Sequence, residues 1–173
     1  RRDPLVHLLR TSLKIYEEFS AELRERTRID PEFIRCGSFE ALFDDQQYRM
    51  AESEVRAAEA HAEDWGGRVL DLLTPEAARR EEPELTPELL GVKYNSTACQ
   101  VRNPRLLAAL QTACRLTGVD IIEGCGVDGL LRERSRVVGV RTNRGSYSGG
   151  HVVLSAGSWS SQVDPALREG VPV

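Results

Sequence analysis

The chain of 173 residues is 40% hydrophobic and 29% charged, so it holds enough apolar material for the core of one domain of ordinary size. Its 23 basic and 27 acidic residues leave a net charge of −4, which argues against a nucleic-acid binder with its basic footprint. No apolar run approaches the roughly 18 residues of a membrane-spanning helix, and Arg1-Arg2-Asp3-Pro4 lacks the apolar stretch of a signal peptide, so a soluble, cytoplasmic protein without a membrane partner is expected.

Leu5, Leu9, Leu13, Tyr16, Phe19 and Leu23 recur at spacings of three and four and predict a long first helix. Asp30-Pro31 ends it, because the residue before proline is pushed out of helical geometry. Alternation at Phe39, Ala41 and Phe43 predicts a strand from near Cys36-Gly37 to Asp44-Asp45. A second helix follows, striped by Tyr48, Ala51, Val55, Ala58, Ala62 and Trp65, with Trp65 in the core and Gly66-Gly67 as the stop.

Thr74-Pro75-Glu76 is an N-cap, a first-turn proline and an early carboxylate, which together open a short helix. The segment from Leu90 to Val101, anchored by Val92, Tyr94 and Val101, is expected to be a strand. Asn103-Pro104 starts the next helix, buried through Leu106, Leu107, Leu110 and Cys114 and stopped by Gly118. A short strand over 119–122 and a fully apolar strand over 152–154 read as members of a parallel sheet. Between them lies a predicted antiparallel meander, with strands at 127–131, at 137–142 and around Tyr147.

The four cysteines (Cys36, Cys99, Cys114, Cys125) and three histidines (His7, His61, His151) show no ligand spacing, so no metal site is predicted and the thiols are read as reduced and mostly buried. The most site-like segment is Ser155-Ala156-Gly157-Ser158-Trp159-Ser160. Small residues at the carboxyl end of a buried strand admit a ligand close to the backbone, and Ser160 or Ser161 could cap a helix whose first amides attract phosphate. A plain strand-to-loop turn with Trp159 in the core is the competing reading.

The second half of the chain resembles the D-amino-acid-oxidase type of FAD-dependent oxidoreductase, nearest to glycine oxidase and sarcosine oxidase. The matching stretches, in order, begin with Gln100-Val101-Arg102-Asn103-Pro104-Arg105-Leu106-Leu107, Gly118-Val119-Asp120-Ile121-Ile122-Glu123-Gly124 and Val127-Asp128-Gly129-Leu130. Val137-Val138-Gly139-Val140-Arg141-Thr142 and the segment from Val152 through Ser160 complete them. Cys36-Gly37-Ser38-Phe39, Leu73-Thr74-Pro75-Glu76-Ala77 and Glu82-Pro83-Glu84-Leu85 extend the resemblance more loosely through the first half.

The resemblance implies a mixed α/β (α+β) fold. Residues 101–173 would be part of an FAD-binding parallel sheet with an antiparallel three-stranded meander, and residues 1–100 a substrate-side region that begins with the long helix. It implies FAD as cofactor, with Val127 holding the adenine through its backbone amide and carbonyl and with Ala156, Gly157, Ser158 and Trp159 along the ribityl and diphosphate region. The implied reaction is oxidation of the C–N bond of a small amine or amino acid by hydride transfer to flavin, with imine hydrolysis and peroxide formation. A dehydrogenase passing electrons to a partner protein and a flavin-free interaction module stay open, as do a homo-oligomer and the choice of amine.

No Gly-x-Gly-x-x-Gly follows a strand near the N-terminus, and Gly124-x-Gly126-x-x-Gly129 leads into a predicted strand where the fingerprint must open a helix. The dinucleotide fingerprint, the substrate-clamping arginine and the flavin-covering C-terminal part are therefore expected outside these residues, in a longer protein of which this is the interior. No catalytic residue is assigned. Arg35, Arg49 and Arg102 read as surface arginines, and Tyr48 and Tyr94 as packing residues.

Overall fold

The computed structural model describes residues 4–65 and 67–167, and the chain divides into two compact units, 1–119 and 120–173. In the first unit, α1 (Pro4–Thr27) carries the predicted stripe, but only its C-terminal part is buried, through Ser20 and Leu23. Leu5 and Leu9 stand 59% exposed. The chain then turns through the buried Pro31 into a two-residue ladder, in which β1 (Ile34–Arg35) pairs antiparallel with β5 (Cys99–Gln100). Helix α5 (Asn103–Leu116) packs on α1, so in its contacts it belongs with the first unit.

The centre of this unit is a three-layer sandwich. Strand β4 (Gly91–Asn95) lies between β2 (Ser38–Leu42) and β3 (Leu70–Leu73), antiparallel to both, with Val92 opposite Ala41 and Leu73, and Tyr94 opposite Phe39 and Asp71. Side chains alternate across the pleat. The Val92 face packs with Ala78 of α4 (Pro75–Glu81) and with Leu89, flanked by Phe39, Ala41, Leu73 and Leu85. Helix α2 (Asp45–Glu59) packs against β3 and buries Ala51 and Val55. Thr74 caps α4 as predicted, its hydroxyl accepting from the N–H of Ala77 at 3.2 Å. Asp44 likewise caps α2, accepting from Gln47 N–H at 2.8 Å, while the Gln47 side chain accepts from Phe43 N–H at 2.8 Å.

Several expectations change. Cys36 is exposed and Cys99, Cys114 and Cys125 are only half-buried, Leu107 of α5 is 57% exposed, and the strand expected over 90–101 is broken into β4 and β5 by the turn between them. The single helix from Tyr48 to Trp65 is two, because the last turn of α2 tightens at Ala60–His61, where His61 N–H reaches the Ala58 carbonyl, and α3 (Ala62–Trp65) restarts beyond it. Trp65 is half-buried instead of a core residue, with the Arg10 guanidinium 4.0 Å above its ring. The segment 119–122 is not a strand. Residues 119–122 have no ladder partner among the described residues and lie in water, Val119 being 50% and Ile122 46% exposed.

The second unit is the predicted meander followed by a helical turn. β6 (Val127–Glu133), β7 (Arg136–Thr142) and β8 (Gly145–Ser148) form an antiparallel sheet in the order β6-β7-β8. Register shifts between Val127 and Gly129, and between Leu131 and Arg132, mark bulges in the β6–β7 ladder. The segment 152–154 is also not a strand, for the same reason as 119–122. It has no ladder partner among the described residues, and Val153 is 86% exposed although its neighbours are half-buried. Every strand pairing among the described residues is therefore antiparallel, and the parallel pairing expected at these two segments is absent from them. Helix α6 (Ser160–Val163) packs on β6.

Candidate cofactor-binding site

The residues singled out from the sequence converge on the second unit. Val127 opens β6, an edge strand, and sits opposite Thr142. Just before that pair, Asn143 N–H donates to the Gly126 carbonyl at 3.0 Å and Asn143 Oδ1 accepts from Gly126 N–H at 3.1 Å. Bonds flanking a pair in this way make it the narrow, non-hydrogen-bonded kind, whose own N–H and C=O turn outward. The N–H and C=O of Val127 are thus directed to the open edge of the sheet, and its side chain is 40% exposed.

Ala156 is half-buried, and Gly157–Trp159 form a single 3-10 turn with Ser158 exposed and Trp159 66% exposed. Trp159 is therefore not the core residue of the competing reading. Gly157 has φ +54, and nothing lies within 4 Å of where a Cβ would stand. The backbone is accordingly open to a ligand on that side. Ser160 is the first residue of α6 and is buried, and Trp159 occupies the cap position without a side-chain cap bond. The serine cap expected from sequence does not form. A helix of four residues also sums few peptide dipoles, so its end offers little charge to a phosphate.

Two features escaped sequence reasoning. Arg132 of β6 donates to Asp164 Oδ2 at 2.6 Å, and Asp164 Oδ1 accepts from Ala166 N–H at 3.1 Å. The Ala166 N–H and then Arg132 hold the Asp164 carboxyl below the usual carboxylate range. Gly129 lies under α6, a Cβ there standing 3.8 Å from the Val163 carbonyl oxygen. Arg132 and Asp164 are 32 positions apart, so no local pattern marks the pair.

The first unit supplies a cleft on the face of the sheet that Tyr94 shares with Val92, lined by Cys36, Gly37, Asp71, Glu81, Glu82 and Tyr94 among others. Arg35, Arg102 and both tyrosines weighed from sequence are occupied structurally, while Arg49 is exposed. Arg35 pairs with Glu17 at 2.8 Å, which raises its pKa, and Arg102 pairs with Glu32 at 3.1 Å. The Tyr94 ring tilts against Phe39 with centroids 5.3 Å apart, and Tyr48 covers Gly91. Lys93 reaches both Glu40, at 2.7 Å, and Glu54. Burial works to lower its pKa, but the two carboxylates outweigh it and leave the pKa raised. Among the described residues no group of three His, Cys, Asp or Glu side chains could hold a metal ion, and no helix is long and apolar enough to cross a membrane.

Comparison with known proteins gives a consistent picture. The family model described as FAD dependent oxidoreductase (DAO) matches residues 2–173. Glycine oxidase of Pseudomonas putida is 32% identical over 163 residues, covering 94% of this chain and 42% of the relative. The hydrogen cyanide synthase subunit HcnC of Pseudomonas aeruginosa is 32% identical over 161 residues, covering 92% and 37%. The crystal structure of glycine oxidase from Geobacillus kaustophilus superposes with a TM-score of 0.85 at 26% identity, covering 98% of this chain and 44% of that one. The chain thus spans well under half the length of these relatives.

Proposed function

The chain belongs to the DAO family of FAD-dependent oxidoreductases, and from that premise we propose that residues 127 and 156–159 form part of an FAD site in an enzyme oxidising the C–N bond of a small amine or amino acid. The observation that carries the reading is the narrow pair at Val127, which leaves an N–H donor and a C=O acceptor together on an open edge. A purine edge offers the complementary acceptor and donor. Gly157, with open space at its Cβ position, leaves room for a second part of the same ligand to run along the backbone.

The residues present therefore fit the cofactor. Val127 would hold the adenine, and Ala156, Gly157, Ser158 and Trp159 would line the ribityl and diphosphate region. FAD, if bound there, would supply the hydride acceptor for oxidation at the amine-bearing carbon of the substrate. The contribution of these residues is to bind and orient. Trp159, exposed in the free chain, would lose water contact when a ligand covers it. Residues 1–100 are read as the substrate-side region and 101–173 as part of the FAD-binding region, acting on a glycine- or sarcosine-like substrate.

The test is an absorbance spectrum of the purified full-length protein that carries these residues, before and after adding FAD, because these residues alone are expected to hold FAD poorly and to be inactive as an oxidase. A flavin band that co-elutes with the protein is expected. A protein that stays colourless at saturating FAD would sink the reading in favour of a flavin-free module. With the flavin in place, peroxide released with glycine or sarcosine marks an oxidase, and slow peroxide with fast dye reduction marks a dehydrogenase.

A further inference from the structure

We infer that the Arg132–Asp164 ion pair is a clasp that holds the 156–159 turn in its ligand-binding conformation over β6. The inference rests on the FAD reading above. Arg132 lies five residues beyond Val127 on the same strand, and Asp164 lies five residues beyond Trp159, just past α6. The pair therefore joins the strand carrying one half of the proposed cradle to the helix that ends the other half. Among the described residues of 151–167, it is the one side-chain hydrogen bond to the meander strands.

The turn needs such an anchor. Ser158 and Trp159 project into water, Gly157 occupies a left-handed conformation with no side chain to pack, and the neighbouring 152–154 segment has no ladder partner. Below the turn, α6 packs on β6, with the Val163 carbonyl over Gly129. Asp164 closes that helix, its N–H donating to the Ser160 carbonyl at 3.2 Å, and spends one carboxylate oxygen on Ala166 and the other on Arg132. The bulge between Leu131 and Arg132 alters the pleat just where Arg132 must reach α6. The side chain of Arg132 is 48% exposed, so the pair adds little to global stability. Its effect falls on the turn, as expected of a residue that supports a binding group without touching the ligand.

The experiment compares the FAD dissociation constant and the FAD-free melting temperature of the purified protein with those of Arg132→Gln, Asp164→Asn and the swap Arg132→Asp/Asp164→Arg. If losing the clasp leaves about a tenth of molecules with a competent turn, Kd rises about tenfold. Each single variant should therefore bind FAD about tenfold more weakly at an almost unchanged melting temperature, and the swap should regain most of the affinity. Wild type and both single variants binding FAD equally overturns the clasp and leaves the cofactor reading intact. Weakened binding that tracks a falling melting temperature also overturns it, since the pair is then merely structural. A wild-type protein that binds no FAD overturns the cofactor reading and the clasp with it.

Discussion

The ring of Tyr94 fills the space that a side chain at position 37 would need. A Cβ on Gly37 would stand 2.7 Å from Tyr94 Cε2 and 2.8 Å from its hydroxyl, and Gly37 also has φ +68. This glycine is what lets the chain pass from β1 into β2 beneath the Phe39–Tyr94 pair. Gly37→Ala should cost about 2–3 kcal/mol, from left-handed strain plus overpacking. The urea midpoint should fall while Tyr94→Ala in the same background recovers part of the loss, and equal midpoints for Gly37→Ala and wild type would contradict the close approach.

A second glycine does the same for the meander. A Cβ on Gly139 would stand 2.2 Å from the Tyr147 carbonyl oxygen, part of the backbone of β8. Backbone cannot give way as a side-chain tip can, so Gly139→Ala should pry β8 from β7. Amide exchange at Tyr147 and Gly149 should accelerate in this variant, and unchanged exchange there would count against the contact.

Arg134 holds φ +55 in the two-residue turn between β6 and β7, without the glycine that turn favours. Arg134→Gly should therefore stabilise the protein by about 0.5–1 kcal/mol, read as a rise in the chemical-denaturation midpoint. A lower midpoint would mean that the arginine side chain contributes more than its backbone strain costs.

Much of this was legible in local chemistry. Thr74-Pro75-Glu76 opens α4, Asn103-Pro104 opens α5, and Gly118 at φ +80 ends it. The meander strands fall within two residues of expectation because their turns carry their own signals. Strand β3 was missed, since all four of its residues are half-buried and no alternation survives. The segments 119–122 and 152–154 mislead because an apolar run reports a preference for burial, while a strand needs a partner. At the candidate site, Val127 could be named only through resemblance. What directs its backbone outward is a clamp from Asn143, whose two bonds to Gly126 no sequence pattern announces.

Stability should fall at both ends of the pH range. Glu76 is held below the ordinary carboxylate range by its own N–H and then the Thr74 hydroxyl. A depressed folded pKa gives stability that is present above the ordinary value and lost as pH falls through the folded one. Lys93 is raised above its usual 10.5, so its contribution is intact below that value and lost as pH climbs through the folded one. Melting temperature should accordingly decline below about pH 4 and above about pH 10.5. Glu76→Gln should soften the acid limb and Lys93→Met the alkaline one, and a variant that leaves its own limb unchanged removes that residue from the account.

The two tryptophans offer an internal reporter of binding. Trp65 lies beneath Arg10 and Trp159 stands in water at the candidate site. Trp159→Phe should remove part of the emission that added FAD quenches, and Gly157→Val should weaken the quenching at least tenfold by filling the open space beside the turn. Undiminished quenching in Gly157→Val would separate the turn from the ligand.

Strand β4 has a consequence for the order in which the first unit comes apart. It has a strand on each side, and its Val92 and the neighbouring Leu42 of β2 are almost wholly buried. Its amides have no route to solvent short of losing the whole sandwich, whereas every side chain of β8 already faces water. In deuterated buffer, Val92 should be among the last protons to leave, a slow clock for opening of the entire unit, and the edge strand β8 should exchange well before it.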